Sequence, residues 1–152
     1  MNTKKCRDVM TENLVFCTPG DTVSKVAQLM KREDIGPVLI VDNERSKTLV
    51  GIVTDRDLAI KVVGEGRDPQ NTKVEEVMTT DLPIVDTADT VEHCMNLMIS
   101  HKARYLLAYN DQQFVGVITI HDLLRQVLSN KEAVFDHSMA EQLLSHEEGR
   151  VY

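Results

Sequence analysis

Tryptophan is absent from this chain, and three Phe and three Tyr give an aromatic share of only 4% in 152 residues. A core with so few rings has to be assembled from Val, Ile, Leu and Met. Cysteine is scarce as well: Cys6, Cys17 and Cys94 are odd in number, lie far apart and show no Cys-x-x-Cys spacing. That pattern argues against a disulfide framework or a zinc cluster and fits reduced thiols. No stretch approaches about 18 uninterrupted apolar residues, and residues 1–8 are polar, so neither a membrane span nor a secretory signal is expected. The expected setting is soluble and cytoplasmic. Basic residues are in deficit, 17 Lys and Arg against 24 Asp and Glu, for a net charge of −7. A surface of that sign repels polyanions, so neither nucleic acid nor an anionic membrane is expected as a partner.

Signatures of catalysis are missing too. His93, His101, His121, His137 and His146 have no two-ligand spacing with a Cys or carboxylate partner, so no metal site is expected. There is no Gly-x-Gly-x-x-Gly, Gly-x-Ser-x-Gly or P-loop sequence, and no paired acid and base. No catalytic residue and no cofactor is therefore assigned, and an enzyme is not expected.

What the chain does have is a repeat. Val9-Met10-Thr11 returns as Val77-Met78-Thr79, Asp21-Thr22-Val23 as Asp89-Thr90-Val91, and Leu29-Met30 as Leu97-Met98, all 68 positions on. Val50-Gly51-Ile52-Val53-Thr54 then returns as Val115-Gly116-Val117-Ile118-Thr119, and Asp57-Leu58 as Asp122-Leu123, 65 positions on. The three-residue difference falls in the polar stretch Asp42–Lys47, where a turn tolerates insertion. Blocks in the same order with matched spacing mark a duplication.

One copy reads as the other. Leu14-Val15-Phe16-Cys17 predicts a short strand ending at Pro19-Gly20. Asp21-Thr22 caps a helix with an apolar stripe of Val23, Val26, Ala27 and Met30, matched by Val91, Cys94, Met95 and Met98, which turns Cys94 toward the core. The runs Val38–Val41 and Leu49–Val53 predict a buried hairpin, repeated as Leu106–Tyr109 and Phe114–Ile118. A second helix follows each hairpin, carrying Leu58, Ala59, Val62 and Val63 or Leu123, Leu124, Val127 and Leu128, with Gly64 and Gly66 closing the first. The predicted class is α/β (α+β): two pseudo-symmetric β-α-β-β-α units of about 60 residues, each marginal alone and packed sheet against sheet. The boundaries are 1–66 for the first repeat with its N-terminal segment, 67–76 for a linker, 77–130 for the second repeat, and 131–152 for an acidic tail. Val134, Met139, Leu143 and Leu144 could form a helical face in that tail.

The repeated Val-Met-Thr and Asp-Thr-Val blocks, with Val-Gly-Ile-Val-Thr-Asp-Arg-Asp and Val-Gly-Val-Ile-Thr-Ile-His-Asp, resemble the CBS domain over residues 9–130. A tandem pair is a Bateman module. The run Thr-Asp-Arg-Asp-Leu followed by Glu-Gly-Arg-Asp-Pro resembles stand-alone bacterial modules. The resemblance implies a pseudo-two-fold pair with two clefts for adenosine-containing ligands (AMP, ADP, ATP or another adenosyl compound). It also implies a homodimer; a separate effector protein, or the tail 131–152, would have to read ligand occupancy.

Thr-x-x-Asp has two physical readings. As a cap, the Thr hydroxyl accepts from a backbone N–H one turn on, while the Asp reciprocates and meets the positive end of the helix. As a site, the helix start binds phosphate, Thr54 or Thr119 donates a hydroxyl, and Asp57 or Asp122 accepts from ribose hydroxyls. Arg56 and Arg104 are the cations best placed for phosphate, and His121 replaces Arg56 in the second copy. The first copy has Gly36-Pro37 where the second has Arg104-Tyr105, so unequal sites are expected. Against the family pattern, Leu39 and Leu107 replace a Pro in the hairpin, and Phe16 and Ile84 replace a Thr that meets the base. Phe16, Pro37, Ile84 and Leu106 are the base-pocket candidates, more apolar than usual. The rival to a ligand sensor is a ligand-free dimerisation scaffold in which these residues are only caps.

Overall fold

A computed structural model of the chain describes residues 4–129 and, beyond them, Gln142. The expected helical face in the tail, Val134, Met139, Leu143 and Leu144, lies outside the described residues. The chain divides into two compact units, one taking in Leu14–Asp81 and the other combining the chain before Leu14 with the chain from Leu82 on.

The first-repeat unit contains β1 (Phe16–Cys17), α2 (Val23–Glu33), β2 (Pro37–Val41), β3 (Leu49–Thr54) and α3 (Asp55–Asp57), which continues as a π-helical turn over Leu58–Val63. The second-repeat unit contains α1 (Cys6–Val9), β4 (Ile84–Asp86), α4 (Val91–His101), β5 (Tyr105–Asn110), β6 (Gln113–Thr119) and α5 (Ile120–Ser129). Each unit has a mixed three-stranded sheet, in order β1-β2-β3 or β4-β5-β6, with the first pair parallel and the hairpin antiparallel. The α+β class and the two sheets agree with the sequence expectation.

Equivalent helices start and stop alike. Thr22 Oγ1 accepts from Lys25 N at 3.2 Å and Thr90 Oγ1 from His93 N at 3.1 Å. Left-handed Asp34 (φ 53°) and Lys102 (φ 51°) end α2 and α4. The three-residue difference in the repeat has a local cause. Asp111 and Gln112 both take positive φ, 48° and 67°, as a tight two-residue hairpin turn requires. The longer first hairpin closes on Asp42, whose carboxylate accepts from Asn43 N (2.7 Å), Ser46 Oγ (2.6 Å) and Thr48 N (3.1 Å). The hydroxyl of Ser46, followed by the backbone donors, holds this carboxyl below the usual range.

Both cores are aliphatic. Cys17, Val23, Val26, Met30, Val38, Ile40, Val53, Val62, Val74 and Val77 form one, while the other gathers Cys6, Cys94, Met95, Met98, Leu106, Ala108, Ile118 and Leu123 with flanking residues. Ala27 departs from the predicted stripe and is exposed, whereas its counterpart Met95 is buried: a single methyl stops short of the core that the longer thioether side chain reaches. Ala59, Val63 and Leu128 are likewise exposed rather than core, because the buried stripe of each second helix is narrower than the apolar run. Gly66, at φ 66°, ends the first of these helices: Gly66 N donates to Val63 O (3.1 Å) and Arg67 N to Val62 O (2.9 Å), which ties up the last carbonyls.

The two Val-Met-Thr segments act as straps. Thr11 exchanges backbone bonds with Val117 (2.8 and 3.1 Å), and Thr79 does the same with Ile52 (2.9 and 2.8 Å). So the strap that opens the first copy in sequence packs on the second-repeat unit, and the strap that opens the second copy packs on the first-repeat unit. The stretch 67–76 belongs to this packing, with Thr72 and Val74 buried. The straps explain the Val-Gly pair of the repeat: a Cβ on Gly51 would lie 2.8 Å from Met78 Sδ, and one on Gly116 would lie 2.9 Å from Thr11 O.

Candidate functional site

Each strap ends at the Thr-x-x-Asp element. In the first-repeat unit Asp57 Oδ2 accepts from Thr54 N (2.9 Å) and Thr54 Oγ1 (3.0 Å), while Asp57 N donates to Thr54 Oγ1 (3.1 Å). This is the capping box anticipated from the spacing, with Asp in the usual Glu position. Thr79 Oγ1 adds bonds to Asp57 Oδ1 (3.2 Å) and Oδ2 (3.4 Å). Lys61 Nζ, one turn on, lies 3.1 Å from Asp57 Oδ1 and also donates to Val77 O at 3.0 Å. The carboxylate thus ties the strap to the helix start, and an ammonium neutralises it.

The second-repeat unit has the same box, with no ammonium at the position of Lys61. Thr119 N donates to Asp122 Oδ2 at 2.8 Å, Asp122 N donates to Thr119 Oγ1 at 3.1 Å, and Thr11 Oγ1 reaches Oδ2 at 3.2 Å and Oδ1 at 3.4 Å. At the position of Lys61 stands Gln126, whose Oε1 accepts from Lys4 Nζ at 2.6 Å. Asp122 is buried, and Oδ1, with a single long bond, keeps more acceptor capacity than its counterpart on Asp57.

Strand pairing sets what surrounds each box. Tyr105 pairs with Thr119, and Ile120 N donates to Arg104 O (3.0 Å), so Arg104 stands beside the start of α5. Arg104 is half-buried and His121 is exposed. In the other unit Pro37 pairs with Thr54 and Asp55 N donates to Gly36 O (3.0 Å), which leaves Arg56 as the cation contributed by the box itself. Thr54, Arg56 and Asp57 therefore share one helix start, and Arg104, Thr119, His121 and Asp122 share the other.

Three of the four base-pocket candidates share a sheet face with their threonine. Phe16 pairs with Leu39, Leu39 with Ile52 and Pro37 with Thr54, so Phe16 and Pro37 lie on the Thr54 face. Phe16 is partly exposed, with Lys47 Nζ 5.9 Å from its ring centroid. Ile84 pairs with Leu107, on the face of Tyr105, Val117 and Thr119. Leu106 is a correction: it is fully buried in the core cluster, because side chains alternate along a strand and one position of slip changes faces. Leu107 and Tyr105 occupy the face assigned to it, and alternation counted from Thr119 through the hairpin would have found them. Lys61 was missed although its i, i+4 spacing from Asp57 was readable. Thr11 and Thr79 were seen as repeat markers, but their bonds to the carboxylates depend on long-range packing.

Among the described residues no helix is long and apolar enough to cross a membrane. The duplicated three-stranded units, each with a strapped Thr-x-x-Asp helix start, define a tandem α+β module. The CBS domain family profile matches residues 6–64 and 74–129, and the chain belongs to that family, a family of regulatory and signalling modules. The Bacillus subtilis (strain 168) protein YlbB is 34% identical over 129 residues, 85% of this chain and 86% of that protein. CBS domain-containing protein YhcV of the same organism is 33% identical over 127 residues, 84% of this chain and 88% of its own length. Among solved structures, a CBS-domain protein from Burkholderia ambifaria MC40-6 superposes with a TM-score of 0.73 at 33% identity, covering 82% of this chain and 90% of that one.

Proposed function

We propose that this chain is a non-catalytic regulatory module that binds an adenosyl ligand, an adenine nucleotide foremost, and converts occupancy into a change of conformation or of affinity for an effector protein. The observation that carries the reading is the second-repeat helix start, where Arg104, Thr119, His121 and Asp122 come together and Gln126 stands in place of Lys61. Arg104 and His121 suit phosphate oxygens, and Asp122 Oδ1 suits a ribose hydroxyl. The first-repeat start, with Thr54, Arg56 and Asp57, is the weaker site because Lys61 already holds the matching carboxylate oxygen. Ligand shifts the module only as far as it binds one conformation better than another.

Thermal shift and calorimetry against AMP, ADP, ATP, S-adenosylmethionine, NAD and cyclic di-AMP test this reading. At least one compound is expected to raise Tm, and Arg104→Ala with His121→Ala is expected to weaken that response at least tenfold, measured from the variant's own ligand-free Tm. No response to any compound near about 1 mM would remove the reading.

One observation favours the scaffold alternative: both carboxylates already hold their straps. Replacing Asp57 or Asp122 therefore disturbs packing whether or not ligand binds, and the Arg104 and His121 substitutions separate the readings because they spare the boxes. We place the protein in the cytoplasm as a homodimer, consistent with the exposed apolar residues Ile60, Val63 and Leu128. Sedimentation at micromolar concentration measures the dimer.

A further inference from the structure

The two cores place different chemistry at one equivalent position. Backbone bonds dock each strap on the helix beside it: Val74 N donates to Asp21 O (2.9 Å) and Val23 N to Thr72 O (2.9 Å), just as Cys6 N donates to Asp89 O (2.7 Å) and Val91 N to Lys4 O (3.1 Å). In the first-repeat unit this docking puts Val74 and Val26 into one core cluster, both fully buried. In the second-repeat unit the same two positions are Cys6 and Cys94, again fully buried in one cluster. Cys17, the remaining cysteine, stands where the second copy has the buried Val85 and lies in the other unit's core. Thiols replace valines at three places in the repeat, and the thiols at two of these places share one core.

We propose that Cys6 and Cys94 are a redox pair, closed to an intrachain disulfide by a peroxide, that clamps the N-terminal strap onto α4. Position divides the roles: Cys94, in the first turn of α4, is the sulfur that reacts first. Its interaction with Cys6 holds the Cys94 thiol below the usual range against the effect of burial, while the same interaction, followed by burial, drives the Cys6 thiol upward. The Cys94 thiolate attacks one peroxide oxygen, the O–O bond breaks, and the departing hydroxide takes up the thiol proton as water, leaving a sulfenic acid. Cys6 then gives its proton to the sulfenic oxygen and attacks the Cys94 sulfur; the S–O bond breaks and a second water leaves. Two S–H bonds are lost and one S–S bond forms, the sulfurs being oxidised by the two electrons that reduce the peroxide.

Full burial sets the kinetics. Peroxide reaches the pair when the strap lifts from α4, so mild urea should speed oxidation rather than slow it. Farther along the same strap Thr11 bonds to Asp122, so the clamp also stiffens the candidate second-repeat site; this consequence rests on the ligand reading, whereas the disulfide does not.

The test treats the reduced full-length chain, without nucleotide, with a slight excess of hydrogen peroxide, then alkylates it in denaturant without reductant and maps its peptides by mass spectrometry. A peptide linking Cys6 to Cys94 is expected in a monomeric chain lighter by two hydrogens, with Cys17 alkylated. Oxidation is expected to raise Tm by more than about 5 °C, reversibly with dithiothreitol. The Cys6→Val and Cys94→Val double variant, which takes the valine pair of the sister unit, should unfold cooperatively near the reduced wild-type Tm and show no redox shift. Free or sulfinic Cys6 and Cys94 after oxidation, links through Cys17 or between chains, or a Tm shift that persists in the double variant would each overturn the proposal.

Discussion

The first-repeat and second-repeat units keep the same side chains at the strap and the helix start and differ around them. Gly51 and Gly116 lie under the straps, Thr54 and Thr119 cap, Asp57 and Asp122 hold the strap threonines, and Thr79 and Thr11 are held. The differences are local: Lys61 against Gln126, Gly36-Pro37 against Arg104-Tyr105, and Val26 with Val74 against Cys94 with Cys6. The shared residues therefore account for the fold of one unit, and any functional specialisation rests on the pairs that differ. A capping box alone identifies neither half as a binding site.

The largest expected contrast lies in the second helices. Leu123 is fully buried whereas its counterpart Leu58 is half-buried, so Leu123→Ala should cost about 2–5 kcal/mol of unfolding free energy in urea and Leu58→Ala less than half as much. Equal losses would mean that the two cores are packed alike after all. A smaller contrast concerns the straps. Thr11→Val removes a donor from a buried carboxylate that has Gln126 where Asp57 has Lys61, and should cost about 1–2 kcal/mol. Thr79→Val should cost about half of that, since Lys61 remains 3.1 Å from Asp57. If the Lys61→Met background leaves the Thr79→Val cost unchanged, Lys61 is not the reason for the difference.

The smallest contrast is electrostatic. Asp21 accepts from Lys25 Nζ at 2.8 Å and from Thr18 N at 2.9 Å, while the matching pair, His93 and Asp89, stands 3.9 Å apart. Burial opposes ionisation of Asp21, but the bonds from Lys25 and Thr18 outweigh it and hold its carboxyl below the usual range. A carboxyl depressed in the folded state contributes stability above its unfolded pKa, about 3.9, that is lost as pH falls through the lower folded value. With Lys25 more than half exposed, Lys25→Ala should cost only about 0.3–0.5 kcal/mol at pH 7, a cost that disappears at the acid end of a pH series of melts. His93→Ala should leave stability at pH 7 unchanged to within about 0.3 kcal/mol. A cost for Lys25→Ala that stays constant down to pH 2 would mean that the Asp21 carboxylate is not its cause.

Much of one unit was legible because short-range rules govern it. The Thr22 and Thr90 caps, the hairpins with their extra residues at Asp42–Lys47, and the burial of Cys94 all follow from periodicity and turn chemistry. The failures came where a side chain's length or its strand parity decides. Ala27 shares its stripe position with Met95 but does not reach the core, and Leu106 was placed one position away from the face that Leu107 occupies. At the candidate site, Thr54, Asp57, Thr119 and Asp122 could be found by spacing alone. The carboxylates' further partners, Thr79 and Thr11, lie 22 and 111 residues away along the chain, beyond any local pattern.

By itself the sequence determined a duplicated β-α-β-β-α unit, its capping boxes and an acidic chain poor in aromatic residues, because each of these depends on residues within a turn or two of one another. Tertiary structure alone decided that each Val-Met-Thr strap packs on the unit of the other repeat, and that Cys6 and Cys94 share one core where the sister unit buries two valines. Those facts are set by contacts between distant segments, whose register and facing side chains exist only once the chain has closed on itself.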